Sequence, residues 1–245
     1  VKRSKTHYGL DAPLVPVSYG VVSFVLLLIG IIALTNGQSW GYWLLAYGLL
    51  ALICVVLYLH TSLRGKYLIW KHVLADLNLP AGARILDLGC GHGAVLIMVA
   101  KHLDPAGKAV GVDIWRKVDQ SGNAIQATEA NLRAENVAEK VRLVTADMRS
   151  LPLENASFDF VFSSMAIHNI NDVPGRARAV QEAFRVLKPG GTLIIVDIMK
   201  TREYMRTLHR LSPQTLERRN VGWIGWWTGP WMATHKIKAV KKSCN

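Results

Sequence analysis

Charge is scarce in this chain and cysteine is scarcer. Only 19% of its 245 residues are Asp, Glu, Lys or Arg, against 51% hydrophobic. The three cysteines, Cys54, Cys90 and Cys244, stand far apart with no Cys-x-x-Cys pair, so no disulfide framework or thiolate metal site can be read. Cys54 lies in an apolar run and is most simply a small buried hydrophobe. No paired carboxylates suggest a metal, and nothing calls for an oxidising compartment. The charge that is present leans one way. A formal net charge of +12 suits nucleic acid or the anionic face of a membrane.

The missing charge is concentrated at the front of the chain. Leu14 to Leu34 and Trp40 to Leu59 carry no charged residue, and the polar turn Thr35-Asn36-Gly37-Gln38-Ser39 separates them. As a helix, each run spans roughly 30 Å of hydrocarbon. Tyr19, Trp40, Tyr42, Trp43 and Tyr58 lie towards the run ends, where aromatic rings suit the interface. A cleaved signal peptide is disfavoured, because the first run is long and an equal one follows at once. A soluble hairpin buried by a partner is the remaining alternative. Residues 1–60 are therefore expected to form a transmembrane helical hairpin in the lipid bilayer. Lys2, Arg3 and Lys5 precede it and Arg64, Lys66 and Lys71 follow it, while the turn holds no Lys or Arg. The positive-inside bias then places both termini, and the whole downstream domain, in the cytoplasm. Residues 61–80 read as an amphipathic connecting helix, with Leu63, Tyr67, Trp70, Leu74 and Leu77 on one stripe. That stripe would lie on the membrane, cover a pocket or pack on a sheet.

From residue 81 onward, strand-like and helix-like stretches alternate. Ile85-Leu86-Asp87-Leu88-Gly89-Cys90-Gly91-His92-Gly93 ends a buried strand, turns through glycines and opens a helix at Ala94. A loop of this kind lets a ligand approach the backbone closely at a helix N-terminus. Further strands are expected at Ala109–Ile114, Val141–Ala146, Phe158–Ser163 and Thr192–Ile198. Helices are expected at Asn123–Glu135, Arg176–Leu187 and Glu203–Leu211, the second stopped by Lys188-Pro189-Gly190-Gly191, and Met232–Val240 fits a last strand. The strands read as buried on both faces, which points to an α/β domain with a largely parallel sheet.

Five of these stretches, taken together, resemble the class I S-adenosylmethionine-dependent methyltransferase family. They are Asp87-x-Gly89-x-Gly91-x-Gly93, the acid Asp113 at the end of the second strand, Thr145-Ala146-Asp147-Met148, Ser157-Phe158-Asp159-Phe160-Val161, and Arg185 to Leu193 with its Lys-Pro-Gly-Gly turn. The resemblance runs from Lys66 to about Lys242 and excludes the two apolar runs. It implies a Rossmann-like, seven-stranded methyltransferase domain over residues 81–245, finished by two antiparallel edge strands. It also implies S-adenosylmethionine as cofactor. By the same resemblance Asp113 accepts from the ribose hydroxyls, Ile114 or Trp115 packs on adenine, Asp147 and Met148 hold the adenine edge, and Gly89, Cys90 and Gly91 line the cofactor. Asp87 organises the glycine loop or faces the methionine end. Trp115 also reads as a surface anchor, and His92 equally as a solvent-facing loop residue.

The acceptor end of the site is the segment Ser163-Ser164-Met165-Ala166-Ile167-His168-Asn169-Ile170. Ser163 would border the cofactor. His168 is a candidate proton acceptor, since imidazole titrates near neutrality, and Asn169 a candidate for orienting the acceptor atom. The plain alternative for His168 is loop packing. No Asn-Pro-Pro-Tyr or Asp-Pro-Pro-Tyr run follows the fourth strand, which counts against the amino-methylating nucleic-acid enzymes. The tail clusters Trp223, Trp226, Trp227 and Trp231 ahead of Lys236, Lys238, Lys241 and Lys242, suited either to hairpin packing or to lipid headgroups. The expected activity is methyl transfer to a lipophilic small molecule or lipid at the membrane. A nucleic-acid methyltransferase and a non-catalytic cofactor-binding adaptor are the rivals. The acceptor atom and the oligomeric state are not legible.

Overall fold

A computed structural model describes residues 10–116 and 123–243. The basic flank Lys2, Arg3 and Lys5, and Cys244, lie outside the described residues. Helices α1 (Leu14–Thr35) and α2 (Gly41–His60) form a hairpin, and each is long and apolar enough to cross a membrane. They pair through small residues. The Ser23 hydroxyl donates to the Gly48 carbonyl at 2.8 Å, a contact that closes only where the backbones run close together. Their outer faces, including Phe24, Leu28, Leu49 and Leu52, are exposed among the described residues.

The second helix continues past the point where charge returns. A π turn at Thr61–Gly65 leads without a break into α3 (Lys66–Ala75). The expected connecting helix is thus no separate element, and it ends at Ala75 rather than near residue 80. Leu77 and Leu79 still reach the core, from irregular chain. The wide turn has a visible cause, because the loop at 221–234 docks into it. Thr61 Oγ1 donates to the Trp226 carbonyl at 2.5 Å, and a Cβ at Gly65 would overlap the Ile224 carbonyl oxygen. His60 stacks on Trp223 with ring centroids 5.2 Å apart, and Tyr58 meets Trp227 edge-on at 5.0 Å. A π turn widens the helix by one residue per turn, which makes room for such a contact.

Seven strands follow: β1 (Arg84–Leu88), β2 (Lys108–Asp113), β3 (Val141–Thr145), β4 (Phe158–Ser164), β5 (Leu187–Asp197), β6 (Thr215–Asn220) and β7 (His235–Val240). Their order is β3-β2-β1-β4-β5-β7-β6. Strands β1 to β5 are mutually parallel, and β7 runs antiparallel to both its neighbours. The helices between them are α4 (Ala94–His102), α5 (Ile125–Ala134), α6 (Val173–Arg185) and α7 (Thr201–Arg210). Successive strand residues point to opposite faces. Ile85, Phe160, Phe162 and Ile194 meet α3 and α4 on one face, while Leu86, Val161, Leu193 and Ile195 meet α6 and α7 on the other. Of the expected stripe, Trp70 and Leu74 pack on the sheet together with Ile69 and Val73, while Leu63 is exposed and Tyr67 borders a cavity.

Two boundaries depart from expectation. The Lys-Pro-Gly-Gly turn lies inside β5 as an irregularity, with Phe158 opposite Leu187 and Phe160 opposite Thr192. Lys188 is held there by Asp159 at 2.7 Å. Strand β6 carries no hydrophobic alternation, because Glu217, Arg218, Arg219 and Asn220 occupy most of an edge strand that is largely open to solvent. Gly65→Val should push the 221–234 loop off the π turn and cost about 1–3 kcal/mol, as overpacking does. Thermal unfolding with limited proteolysis would show a lowered Tm and new cleavage within 221–234; an unchanged Tm and cleavage pattern would contradict the docking.

Candidate active site

Strands β1 and β4 are neighbours in space, with the chain passing through β2 and β3 between them, so the connections diverge at their carboxyl ends. A parallel sheet opens a crevice at such a point. Here the crevice is a cavity of about 270 Å³. The glycine loop forms its floor and is pinned from three sides. The amides of Gly89 and Cys90 both donate to the Val112 carbonyl, at 2.8 and 3.1 Å. The Gly91 amide donates to Asp113 Oδ2 at 2.9 Å, and Thr128 Oγ1 donates to the Gly91 carbonyl at 2.6 Å. Gly89 has φ +71°, and a Cβ there would overlap Ala166, so both conformation and space demand glycine.

Asp87, Gly89, Cys90, Gly91, Asp113, Ile114, Asp147, Met148 and Asn169 all line this cavity. The fold thus brings nine of the twelve sequence-derived candidates to one place. Asp87 is 1% exposed, and neither carboxylate oxygen accepts a formed hydrogen bond among the described residues. Burial, then the negative charge of Asp113, raise its pKa to about 7, against a weaker opposing pull from the Leu96 amide. Asp113 is better supported: Oδ1 accepts from the Trp115 amide at 2.6 Å and from Asn123 Nδ2 at 3.3 Å. Asp147 lies towards the rim, paired with Arg149 through Nη2 at 2.6 Å, and the guanidinium lowers its pKa.

Three candidates lie outside the cavity lining. Trp115 has φ +58°, and its indole donates to Thr145 Oγ1 at 2.7 Å, which fixes the ring at the β2–β3 edge. Ser163 is buried and donates to the Leu88 carbonyl at 3.2 Å; its neighbour Ser164 lines the cavity instead. His168 turns towards the sheet, with Nδ1 2.6 Å from Asp197 Oδ1. Asp197 is fully buried and also accepts from the Tyr204 hydroxyl at 3.2 Å and the Ile198 amide at 2.7 Å. The reading of His92 as solvent-facing is corrected, since it is buried and borders the cavity.

Lys66, Tyr67 and Trp70 add to the wall, which bears out the pocket-covering alternative for the 61–80 segment, and Asp11 and Asn123, which carry no motif, border it as well. Trp70 Nε1 donates to Ser164 Oγ at 2.8 Å and so ties α3 to the end of β4. One signal was available, because Asp11 is the only acid before Asp76.

The sheet order and the glycine floor define a Rossmann-like methyltransferase fold. Residues 86–195 match the methyltransferase domain family, and this part of the chain is a class I S-adenosylmethionine-dependent methyltransferase domain. The chain is 32% identical over 148 residues to a sterol 4-C-methyltransferase of Caenorhabditis elegans, an alignment covering 58% of this chain and 41% of that protein. It is 29% identical over 144 residues to the chloroplastic 2-phytyl-1,4-beta-naphthoquinone methyltransferase of Arabidopsis thaliana, covering 58% and 52%. The chain thus spans about half the length of the curated relatives it matches. Among solved structures, a SAM-dependent methyltransferase from Aquifex aeolicus superposes with a TM-score of 0.56 at 18% identity, covering 70% of this chain and 88% of that one.

The cavity fits S-adenosylmethionine on its own chemistry. A buried carboxylate opposed only by the weak pull of the Leu96 amide among the described residues suits a ligand bearing positive charge, and the carboxylate at the end of β2 suits vicinal hydroxyls. The buried charge has a consequence that can be measured without any ligand. The raised pKa of Asp87 means that its contribution to stability is fully present below the ordinary carboxylate range. That contribution is lost as pH rises towards and through 7. Asp87→Asn should therefore match the parent at pH 4 and exceed its Tm by about 5 °C at pH 8. A pH series of thermal melts checks this, and a gap independent of pH would contradict it.

Proposed function

We propose that this protein is a membrane-bound methyltransferase that transfers a methyl group from S-adenosylmethionine to a lipophilic small molecule or lipid. One observation carries the reading: the wall of the cofactor cavity is the direct continuation of an apolar helix. Lys66, Tyr67 and Trp70 border the cavity, and the helix they belong to runs unbroken from Gly41. Residues 1–60 act as a transmembrane anchor, residues 61–80 as the junction, and residues 81–245 as the catalytic domain. An acceptor dissolved in the bilayer then reaches the site without leaving lipid entirely. The sterol and naphthoquinone methyltransferases named above support the choice of a lipophilic acceptor.

When bound, S-adenosylmethionine supplies an activated methyl group, so the protein's work is alignment and exclusion of water. The glycine floor and Asp113 border the nucleoside, with Ile114 and Met148 against the base and Asp147 at its edge. Asp87 offers the buried negative charge that the methionine end requires. Asn169 borders the cavity at the end of β4 and orients the acceptor. His168, turned onto Asp197, positions this segment rather than handling the acceptor's proton.

Incubating the full chain with methyl-labelled S-adenosylmethionine and, in parallel, membrane lipid extract, polar metabolites or RNA tests the reaction. Label in an extractable lipid is expected. Label confined to RNA would establish the nucleic-acid alternative, and no label anywhere, despite donor binding, would favour an adaptor. Asp113→Ala should weaken donor affinity at least tenfold, or about 1.5–3 kcal/mol for a lost charged acceptor, with little change in Tm. Calorimetric titration measures this; an unchanged Kd in a folded variant would remove Asp113 from the donor site. In a chain cleared of its native cysteines, Ser39→Cys should react with an impermeant maleimide added outside intact cells, while Asn155→Cys should not. The reverse pattern would overturn the topology.

A further inference from the structure

A charged pair sits where the membrane-side elements meet the cavity. Asp11 precedes α1 and Lys66 opens α3, and both border the cavity although neither lies within the matched residues 86–195. Lys66 Nζ is 2.8 Å from Asp11 Oδ2, with side chains only 13% and 27% exposed. The arrangement is built, not incidental. Ser62 Oγ donates to the same Asp11 oxygen at 2.8 Å and accepts from the Asp11 amide at 3.2 Å. The Tyr58 hydroxyl donates to the Asp11 carbonyl at 2.8 Å. Two helices and the segment before the first are thus spent on fixing one carboxylate against one ammonium at the cavity wall.

The pair retains unused capacity. An ammonium has three donors, and Lys66 spends one on Asp11. Asp11 Oδ1 accepts no hydrogen bond among the described residues; the contacts go to Oδ2. The site therefore presents donors and an acceptor side by side, with its net charge already cancelled. A bare anion, such as the carboxylate of the donor's methionine end, would be met by an unneutralised cation, and Asp11 would repel it. A neutral hydroxyl is the complementary group: its oxygen accepts from Lys66 while its hydrogen is given to Asp11 Oδ1. An apolar groove lies further along the hairpin. One turn back along α2 from Tyr58, Cys54 borders a groove shared with Tyr19, Tyr47 and Trp231.

We propose that the Asp11–Lys66 pair seats the head of the acceptor, and that this head is a neutral hydroxyl — phenol, enol or alcohol — on an otherwise apolar molecule. The proposal rests on the lipophilic-acceptor reading and gives it a residue-level specificity determinant outside the methyltransferase domain. It assigns recognition of the acceptor to the membrane-side elements and leaves donor binding to the sheet.

The test is equilibrium binding to the full chain in lipid nanodiscs, with three ligands measured separately: para-dodecylphenol, its O-methyl ether, and S-adenosylmethionine. The parent should prefer the phenol to the ether. Lys66→Met and Asp11→Asn should each weaken the phenol about tenfold and leave the ether and the donor within about twofold, while Lys66→Arg retains most of the phenol affinity. A loss of donor affinity as large as that of the phenol would assign the pair to the donor's carboxylate and overturn the proposal. Equal losses for phenol and ether would reduce the pair to packing. A parent that binds both without preference refutes the hydroxyl seat and leaves the lipophilic reading standing. A parent that binds the donor but neither probe refutes both.

Discussion

The π turn at Thr61–Gly65 is the constraint on which the arrangement depends. A helix that ended at His60 would leave the hairpin and the sheet joined by slack chain. Instead the backbone runs on, and the turn is wide enough to take the Trp226 and Ile224 carbonyls of the 221–234 loop against Thr61 and Gly65. The hairpin is thereby clamped twice, through α3 on the sheet and through the loop on α2. Trp70, buried in the core and bonded to Ser164, carries the same rigidity to the end of β4. The cavity, its glycine floor and the apolar helices therefore keep a fixed relation.

Within the cavity the charges divide by region. Asp113 is met by loop amides and serves as scaffold as well as candidate ligand. Asp87 is buried with only the Leu96 amide drawing on it, and its pKa is raised to about 7 by burial and by Asp113. Such a site is uncomfortable when empty and relieved by a cation, which gives an adapted donor site a physical driving force. Asp11 and Lys66 have cancelled each other before any ligand arrives. One region thus suits a charged nucleoside donor and the other a neutral polar head, and the two occupy opposite sources in the chain.

Much of this was legible in the sequence. The glycine loop, the strand-end acids and the alternation of strands and helices follow from local pattern, and eight of the nine candidates that meet in the cavity lie in the loop or at those strand ends, with Asn169 in the segment after β4. Strand order was not legible, because hydrogen-bond partners across a sheet leave no local mark. The π turn escaped because its cause, the 221–234 loop, lies some 160 residues away. The chemistry of His168 points towards the acceptor, but a buried acid on the next strand, Asp197, turns it inward. Trp115 was drawn off by Thr145 in the same way. Asp11 on the cavity wall is not legible, because a residue ahead of the two apolar runs carries no motif of the site, whereas the 61–80 segment that supplies Lys66 reads as a possible pocket cover.

The central proposal is that the hairpin spans a bilayer and that the acceptor enters from it. Vesicles carrying the reconstituted protein together with total lipid extract can be compared with protein vesicles mixed with separate extract-bearing vesicles, using methyl-labelled donor. The account predicts that label appears rapidly in lipid of the protein's own vesicles and is delayed in the others until lipid exchanges between them. Equal initial rates in the two arrangements would mean that the acceptor arrives through water, and would contradict it.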